Sequence, residues 1–281
     1  MATRKNALIA AALAAPLAMG ATTASAVLVT EWEYNVDSGF ADWNPVGGGE
    51  SNAVTPSGNN AQLGLPTTLS WGDPSNPQNE QSSISITSDV DAPPADNLVT
   101  NVNSVPGATF THNNFTITDP GDLSLTDFVI ANRVELFPAA PPEVDGDPSE
   151  VLDPNPILLP SLFWETLNAG DCVIGDQPCG DIFVLQSPEA LSTNFTRDGF
   201  LYTVNLEIDG LQEFDDDVCN ASQLGAGPGC VGLFTEEGQV NTFGTTFSIT
   251  AVEVPEPGVL GLLGLGLFGI GAASRGRFAR K

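Results

Sequence analysis

Between residues 27 and 257 the chain shows short runs of alternating apolar and polar residues and no sustained apolar period of 3.6, so it has to fold as strands. The run from Thr242 to Ile249 places Phe243, Thr245, Phe247 and Ile249 on one face, because successive strand side chains point to opposite faces. Residues 200–208 alternate in the same way. Further runs rich in β-branched and aromatic residues cover 62–70, 82–88, 109–118, 123–136, 157–166, 181–186, 231–235 and 241–252, separated by Asn, Asp, Gly and Pro clusters. Each strand has one apolar face to bury, and a second sheet is the natural cover. The expectation is an all-β chain, an antiparallel β-sandwich of jelly-roll-like form over residues 27–253. Residues 35–60, rich in Gly, Asn and Ser, read as a loop. So do residues 138–156, which hold six prolines among acids. The second is expected to be a surface loop within one domain, since the strand at 157–166 needs partners from the first half.

The two ends have a different character. Residues 1–26 carry Arg4 and Lys5, an apolar stretch from Ala7 to Met19, and Ala24-Ser25-Ala26, the small-x-small pattern that signal peptidase cuts after. A signal helix followed by a mature chain starting near Val27 is therefore expected. At the other end Val254-Pro255-Glu256-Pro257 precedes a Gly- and Leu-rich apolar span, Gly258 to Ala273, and a basic tail with Arg275, Arg277, Arg280 and Lys281. As a helix that span reaches about 24 Å, enough for a marginal single transmembrane segment with a cytoplasmic basic end. Pro255 and Pro257 bar helix and sheet pairing and keep the junction extended for a processing enzyme to grip.

Charge excludes one class of function. Six of the eight basic residues lie in the two ends, so residues 27–257 carry 35 acids against two arginines, Arg133 and Arg197, a formal −33 with no lysine. Such a field repels phosphate backbones, and nucleic acid is not an expected partner.

The C-terminal order of Val-Pro-Glu-Pro, short apolar span and Arg-rich tail resembles the PEP-CTERM sorting signal of Gram-negative bacteria, over residues 254–281. The resemblance implies recognition by an exosortase, cleavage near Pro255 to Pro257, an inner-membrane-anchored intermediate and delivery to the cell surface or extracellular matrix. A second resemblance spans the middle of the chain. Thr111-His112-Asn113-Asn114 matches the Thr-His-x-Asn signature of one group of PEP-CTERM proteins, the THxN group, with Thr111, His112 and Asn114 as its motif residues. Leu69-Ser70-Trp71-Gly72, Glu165-Thr166-Leu167-Asn168, Cys179-Gly180-Asp181-Ile182-Phe183-Val184 and Gly238-Gln239-Val240-Asn241-Thr242-Phe243 are similar to that group as well. The group's resemblance implies export and surface association and carries no assigned activity.

The remaining chemistry is sparse. Cys172, Cys179, Cys219 and Cys230 form an even set in an exported chain and read as disulfides. Three pairings are open, with sequence neighbours the simplest; a four-thiolate zinc site competes, but no closely spaced cysteine pair supports it. His112 is the only histidine, in a strand-like run flanked by aromatics, and it reads as structural, although one histidine could in principle serve a serine nucleophile. Paired carboxylates for glycoside hydrolysis carry no signal among 35 acids. Calcium is the one ion with candidate ligands on loops: Asp215-Asp216-Asp217, and Asp145 with Asp147. Asn114, Asn194 and Asn220 begin Asn-x-Thr/Ser triplets, which matter only in a eukaryotic secretory route.

Together these features point to an exported, non-enzymatic surface or matrix protein of structural or adhesive role, with signal peptidase and exosortase as processing partners and no required cofactor. A calcium-assisted exopolysaccharide-binding module is the alternative, favoured if Trp32, Trp43 or Trp71 line a groove. A secreted hydrolase would need a concave pocket holding paired acids or His112 with a serine.

Overall fold

The computed structural model describes residues 26–45, 54–72, 81–87, 89–91, 97–117, 124–152, 156–166, 168, 171–221 and 223–254. The segments expected to form a signal helix and a transmembrane helix, and the Pro255 to Pro257 motif, lie outside the described residues. Among the described residues no helix is long and apolar enough to cross a membrane.

The chain is all-β, with two antiparallel sheets. The first contains β1 (Glu31–Pro45), β5 (Asp89–Asp91), β6 (Leu98–Val99), β8 (Leu125–Ala140), β9 (Glu150–Val151), β10 (Ile157–Trp164), β11 (Asp181–Leu185), β14 (Gln212–Glu213) and β15 (Val231–Thr235). Its order is β14-β15-β11-β10-β8-β1-β5, with β6 beside β1 and β9 beside β8. The second contains β2 (Val54–Ser57), β3 (Thr68–Trp71), β4 (Ser82–Ile86), β7 (Ser104–Asn113), β12 (Ser192–Arg197), β13 (Phe200–Ile208) and β16 (Val240–Glu253), in the order β12-β13-β16-β7-β4-β3-β2. A single turn of helix, α1 (Asp216–Cys219), and a short 3-10 turn at Pro188–Leu191 complete the described elements.

The alternation read in the sequence now has its cause. On β16 Thr245, Phe247 and Ile249 are buried while their neighbours are not, and the same holds for Tyr202, Val204 and Ile208 on β13. Phe40, Phe128, Leu159 and Phe163 of the first sheet pack against Leu69, Trp71, Ile84 and Phe110 of the second in one core cluster. A second cluster joins Trp32, Tyr34 and Leu136 to Tyr202, Phe247 and Ile249. Both sheets thus share one interior, which makes the arrangement a sandwich.

Three readings from sequence change. The largest is β1, which occupies the first part of the segment read as a loop and pairs along its length with β8. Its middle, Asp37-Ser38-Gly39, looks like turn chemistry but is buried, and distant partners satisfy it. The Asn60 amide donates to Asp37 at 3.1 Å, Arg133 sits 3.6 Å from the same carboxylate, and Ser38 donates to Asn132 at 2.7 Å. A Cβ at Gly39 would fall 2.8 Å from the Leu65 Cβ, so only glycine lets the Leu65 loop cross the strand. In the second change, residues 62–67 are mainly turn, closed by a bridge between Asn60 and Leu65, and the strand begins at Thr68. In the third, the proline-rich segment carries β9 and buries Val144 and Leu152 against the second cluster, so it is not a wholly solvated loop. Beyond it, β10 pairs with β8.

The disulfides join sequence neighbours, Cys172 with Cys179 and Cys219 with Cys230. The second staples α1 to the start of β15 under Phe214 and Ile182.

Both ends of the domain meet at one corner, the turn between β12 and β13. The Val254 amide donates to the Gly199 carbonyl at 2.7 Å, and Ala26 lies against Gly199. Nearby, the buried Val29 amide donates to the Tyr202 hydroxyl at 2.9 Å. Replacing Tyr202 with Phe orphans that amide and is expected to cost about 1–3 kcal/mol. Urea unfolding midpoints of the two proteins measure it; equal midpoints would mean that the hydrogen bond does not hold the entering chain.

Candidate metal centre

At the opposite end of the sandwich several strand ends converge. Trp71 closes β3, Asn114 follows β7, Glu165 follows β10, Asp181 opens β11, and Glu237 sits in the turn from β15 to β16. The antiparallel registers enforce this, since Asp181 pairs with Thr235 and Asn113 pairs with Val240. Gly180 and Gly238 shape the backbone here. A Cβ at Gly180 would lie 2.1 Å from the Thr235 carbonyl, and Gly238 has a φ of +68°, which L side chains rarely adopt.

Glu165, Asp181 and Glu237 each present a carboxylate oxygen within 4.8 Å of the others. All three are buried, Asp181 completely. One oxygen of Glu165 accepts from the Trp71 indole N–H at 2.9 Å, and one of Asp181 accepts from the Thr166 amide at 2.9 Å. The Thr166 hydroxyl is 3.0 Å from both the Cys179 and Gly180 carbonyls, which ties the loop after β10 to the disulfide-bonded loop before β11. By strict geometry Glu165 Oε1, Asp181 Oδ2 and both oxygens of Glu237 lack a hydrogen-bond partner, while Asn114 lies within looser reach of Asp181 and Thr116 and Asn168 within looser reach of Glu237. The side-chain oxygens of Asn114 and Asn168 are also buried without a partner.

Among the described residues no cation faces this cluster. The two arginines of the described residues are engaged elsewhere, Arg133 with Asp37 and Glu135, and Arg197 with Asp147, Glu150 and Asp198. Burial therefore dominates the titration. It raises Glu165 to about 8, against the opposing pull of the Trp71 hydrogen bond, and the Glu237 charge adds to the rise. Burial also lifts Asp181 well above the usual carboxylate range, with the Glu165 charge next in importance, and it raises Glu237.

His112 lies beside this cluster. Its Nδ1 is 3.0 Å from the Thr235 hydroxyl, whose oxygen is 3.3 Å from the Asp181 carbonyl. Its ring stacks on Trp71 at 5.6 Å and meets the edges of Phe163 and Phe183. Burial pushes its pKa down to about 3, so the ring is neutral near pH 7. Its packing is that of a core residue, as the aromatic flanks in sequence implied.

The structure distributes the sequence candidates unequally. His112 and Asn114 of the Thr-His-x-Asn stretch stand at this pole, and Thr111 pairs with Thr242 one position before them. The quoted segments around Trp71, Glu165, Asp181 and Gly238 meet there too. Asp145 and Asp147 lie elsewhere, Asp147 bound to Arg197 at 3.0 Å, and Asp215, Asp216 and Asp217 surround the start of α1. Among the described residues only Glu165, Asp181 and Glu237 bring three acidic groups close enough to share an ion. Sequence spacing could not single them out. Three adjoining signals were available, since each acid lies within or next to a segment quoted for the THxN resemblance.

A protein-family profile described as the PEP-CTERM protein-sorting motif matches residues 253–277. No curated protein matches the chain. The motif match supports an exported surface protein that passes through a membrane-anchored intermediate and is processed by exosortase. It starts at Glu253, the last residue of β16, so the sorting segment follows the folded domain without a linker.

Proposed function

We propose that this exported, exosortase-processed chain serves as a non-enzymatic structural or adhesive component of the cell surface or extracellular matrix. The observation that carries the reading is the direct junction between β16 and the sorting motif, which hands a disulfide-stapled sandwich to the processing enzyme. Two cavities of about 40 Å³ each lie between the sheets, with mainly apolar walls that include Phe110, Phe128 and Phe183 in one and Val36, Val204 and Phe247 in the other. Among the described residues the hydrogen-bond partner of His112 is the Thr235 hydroxyl, while Ser161 lines the same cavity.

The polysaccharide-binding alternative loses its aromatic candidates. Trp32 and Trp71 are fully buried and Trp43 packs partly buried against the first core cluster, so none of them forms an open platform. Membership of the THxN group rests on the convergence of the quoted segments at one pole.

Fractionating cells, matrix and medium of the native host and of a strain lacking its exosortase, with intact-mass analysis of each pool, tests the proposal. We expect the wild-type protein in the surface or matrix pool, starting near Val27 and ending near Pro255 to Pro257, and a retained tail in the mutant strain. Recovery chiefly as free protein in the medium would sink the structural role, and an unchanged C-terminus in both strains would sink the processing.

A further inference from the structure

We infer that Glu165, Asp181 and Glu237, with the amide oxygens of Asn114 and Asn168, form a binding site for one divalent cation, and that the cation is calcium. The site stands independently of the surface role proposed above.

The geometry is that of a small cage of hard ligands. Three carboxylate oxygens no more than 4.8 Å apart leave a central point about 2.8 Å or less from each, which slight closure brings to the 2.3–2.6 Å of calcium–oxygen contacts. Six unpartnered buried oxygens are available, four from the acids and two from the amides. Glu237 can chelate through both of its own. All the ligands are oxygen, and the donor number suits calcium, which takes six to eight; magnesium demands a stricter octahedron and keeps much of its water.

Asn114 supplies the independent observation. It is not acidic, it is completely buried, its amide group lies against Asp181 within reach of a hydrogen bond, and its amide oxygen has no hydrogen-bond partner. Buried amides are otherwise almost always bonded. One central cation would give the carboxylate and amide oxygens a common partner and offset the charge of the three acids. The rest of the pole holds the ligands in place. Trp71 and Thr166 occupy the outward oxygens of Glu165 and Asp181 and leave the second oxygen of each free.

The test is terbium luminescence on the full chain after chelator treatment, with excitation of tryptophan, because the Trp71 indole lies one hydrogen bond from a ligand carboxylate. We expect saturable emission at one ion per chain, displaced by calcium at concentrations at least about tenfold lower than by magnesium. Asp181→Asn and Glu237→Gln should each weaken it at least about tenfold. A combined Asp215→Asn, Asp216→Asn, Asp217→Asn variant should leave it unchanged, which separates the site from general attraction to an acidic surface. Glu237 sits in the turn from β15 to β16 and outside the strands, so its variant keeps the test valid if Asp181→Asn does not fold. The inference is overturned by absent or non-saturating emission, by emission that survives Glu237→Gln, or by emission that follows the Asp215 to Asp217 acids. Equal displacement by magnesium overturns the assignment to calcium.

Discussion

Trp71→Ala is expected to remove a large part of the stability of the fold. The indole is completely buried between the sheets, meets Phe163 at 5.1 Å and stacks on His112. Truncating a buried tryptophan to alanine costs about 3–5 kcal/mol. The lost N–H also leaves a Glu165 oxygen without its donor, which adds about 1–3 kcal/mol. Against a total of about 5–15 kcal/mol for a domain, that is a severe lesion. Trp71→Phe separates the two contributions, since it keeps most of the ring packing and gives up only the donor. Urea unfolding of both variants in the presence of chelator should place Trp71→Ala clearly below Trp71→Phe. If the two midpoints coincide, the indole matters here as a hydrogen-bond donor and not as core.

The second large effect concerns pH in the absence of divalent ions. The folded chain holds Glu165 at about 8, while the unfolded chain releases that proton near 4.5. Below about 4.5 the glutamate is protonated in both states and the stabilising effect of the raised pKa is complete. As pH climbs towards 8 the unfolded state gives up its proton first, and stability falls by about 1.4 kcal/mol per unit. For Glu165 alone the ceiling is about 5 kcal/mol, and Asp181 and Glu237 act in the same direction. Chelator-treated protein should therefore melt at a lower temperature at pH 8 than at pH 5, with the slope much reduced in Glu165→Gln. Saturating calcium should flatten the profile of the unmodified protein, because protons and the ion compete for the same oxygens. A flat profile in chelator would contradict the burial of these acids as uncompensated groups.

How far the sequence reveals this molecule depends on the range of the interactions involved. Strand β13 is legible at both ends, because the alternating residues and the flanking turn residues Asp198, Gly199 and Gly210 are local. β1 is not legible, because Asp37, Ser38 and Gly39 owe their burial to Asn60, Leu65, Asn132 and Arg133, some 20 to 100 residues away. β12 is hidden for a different reason: as an edge strand it alternates between exposed and half-buried positions and presents no strong apolar face. The carboxylate cluster is the extreme case. Its members span residues 165 to 237 in a chain with 35 acids, and only the registers of β11 with β15 and of β7 with β16 bring them together. The acid run Asp215 to Asp217 stays at the surface, whereas Glu165, Asp181 and Glu237, which no such run marks out, are drawn inside.

The meeting of both chain ends beside Gly199 has a mechanical meaning. At about 3.3 Å per residue the 14 residues of β16 put roughly 40 Å between that corner and the carboxylate pole. A protein tethered through Val254 would hang from one vertex with its carboxylates turned outward. Traction between tether and far pole would run along β16, which is bonded to β13 on one flank and β7 on the other. Many hydrogen bonds would then resist in shear together, where a tether leaving from an edge strand would peel them apart one at a time.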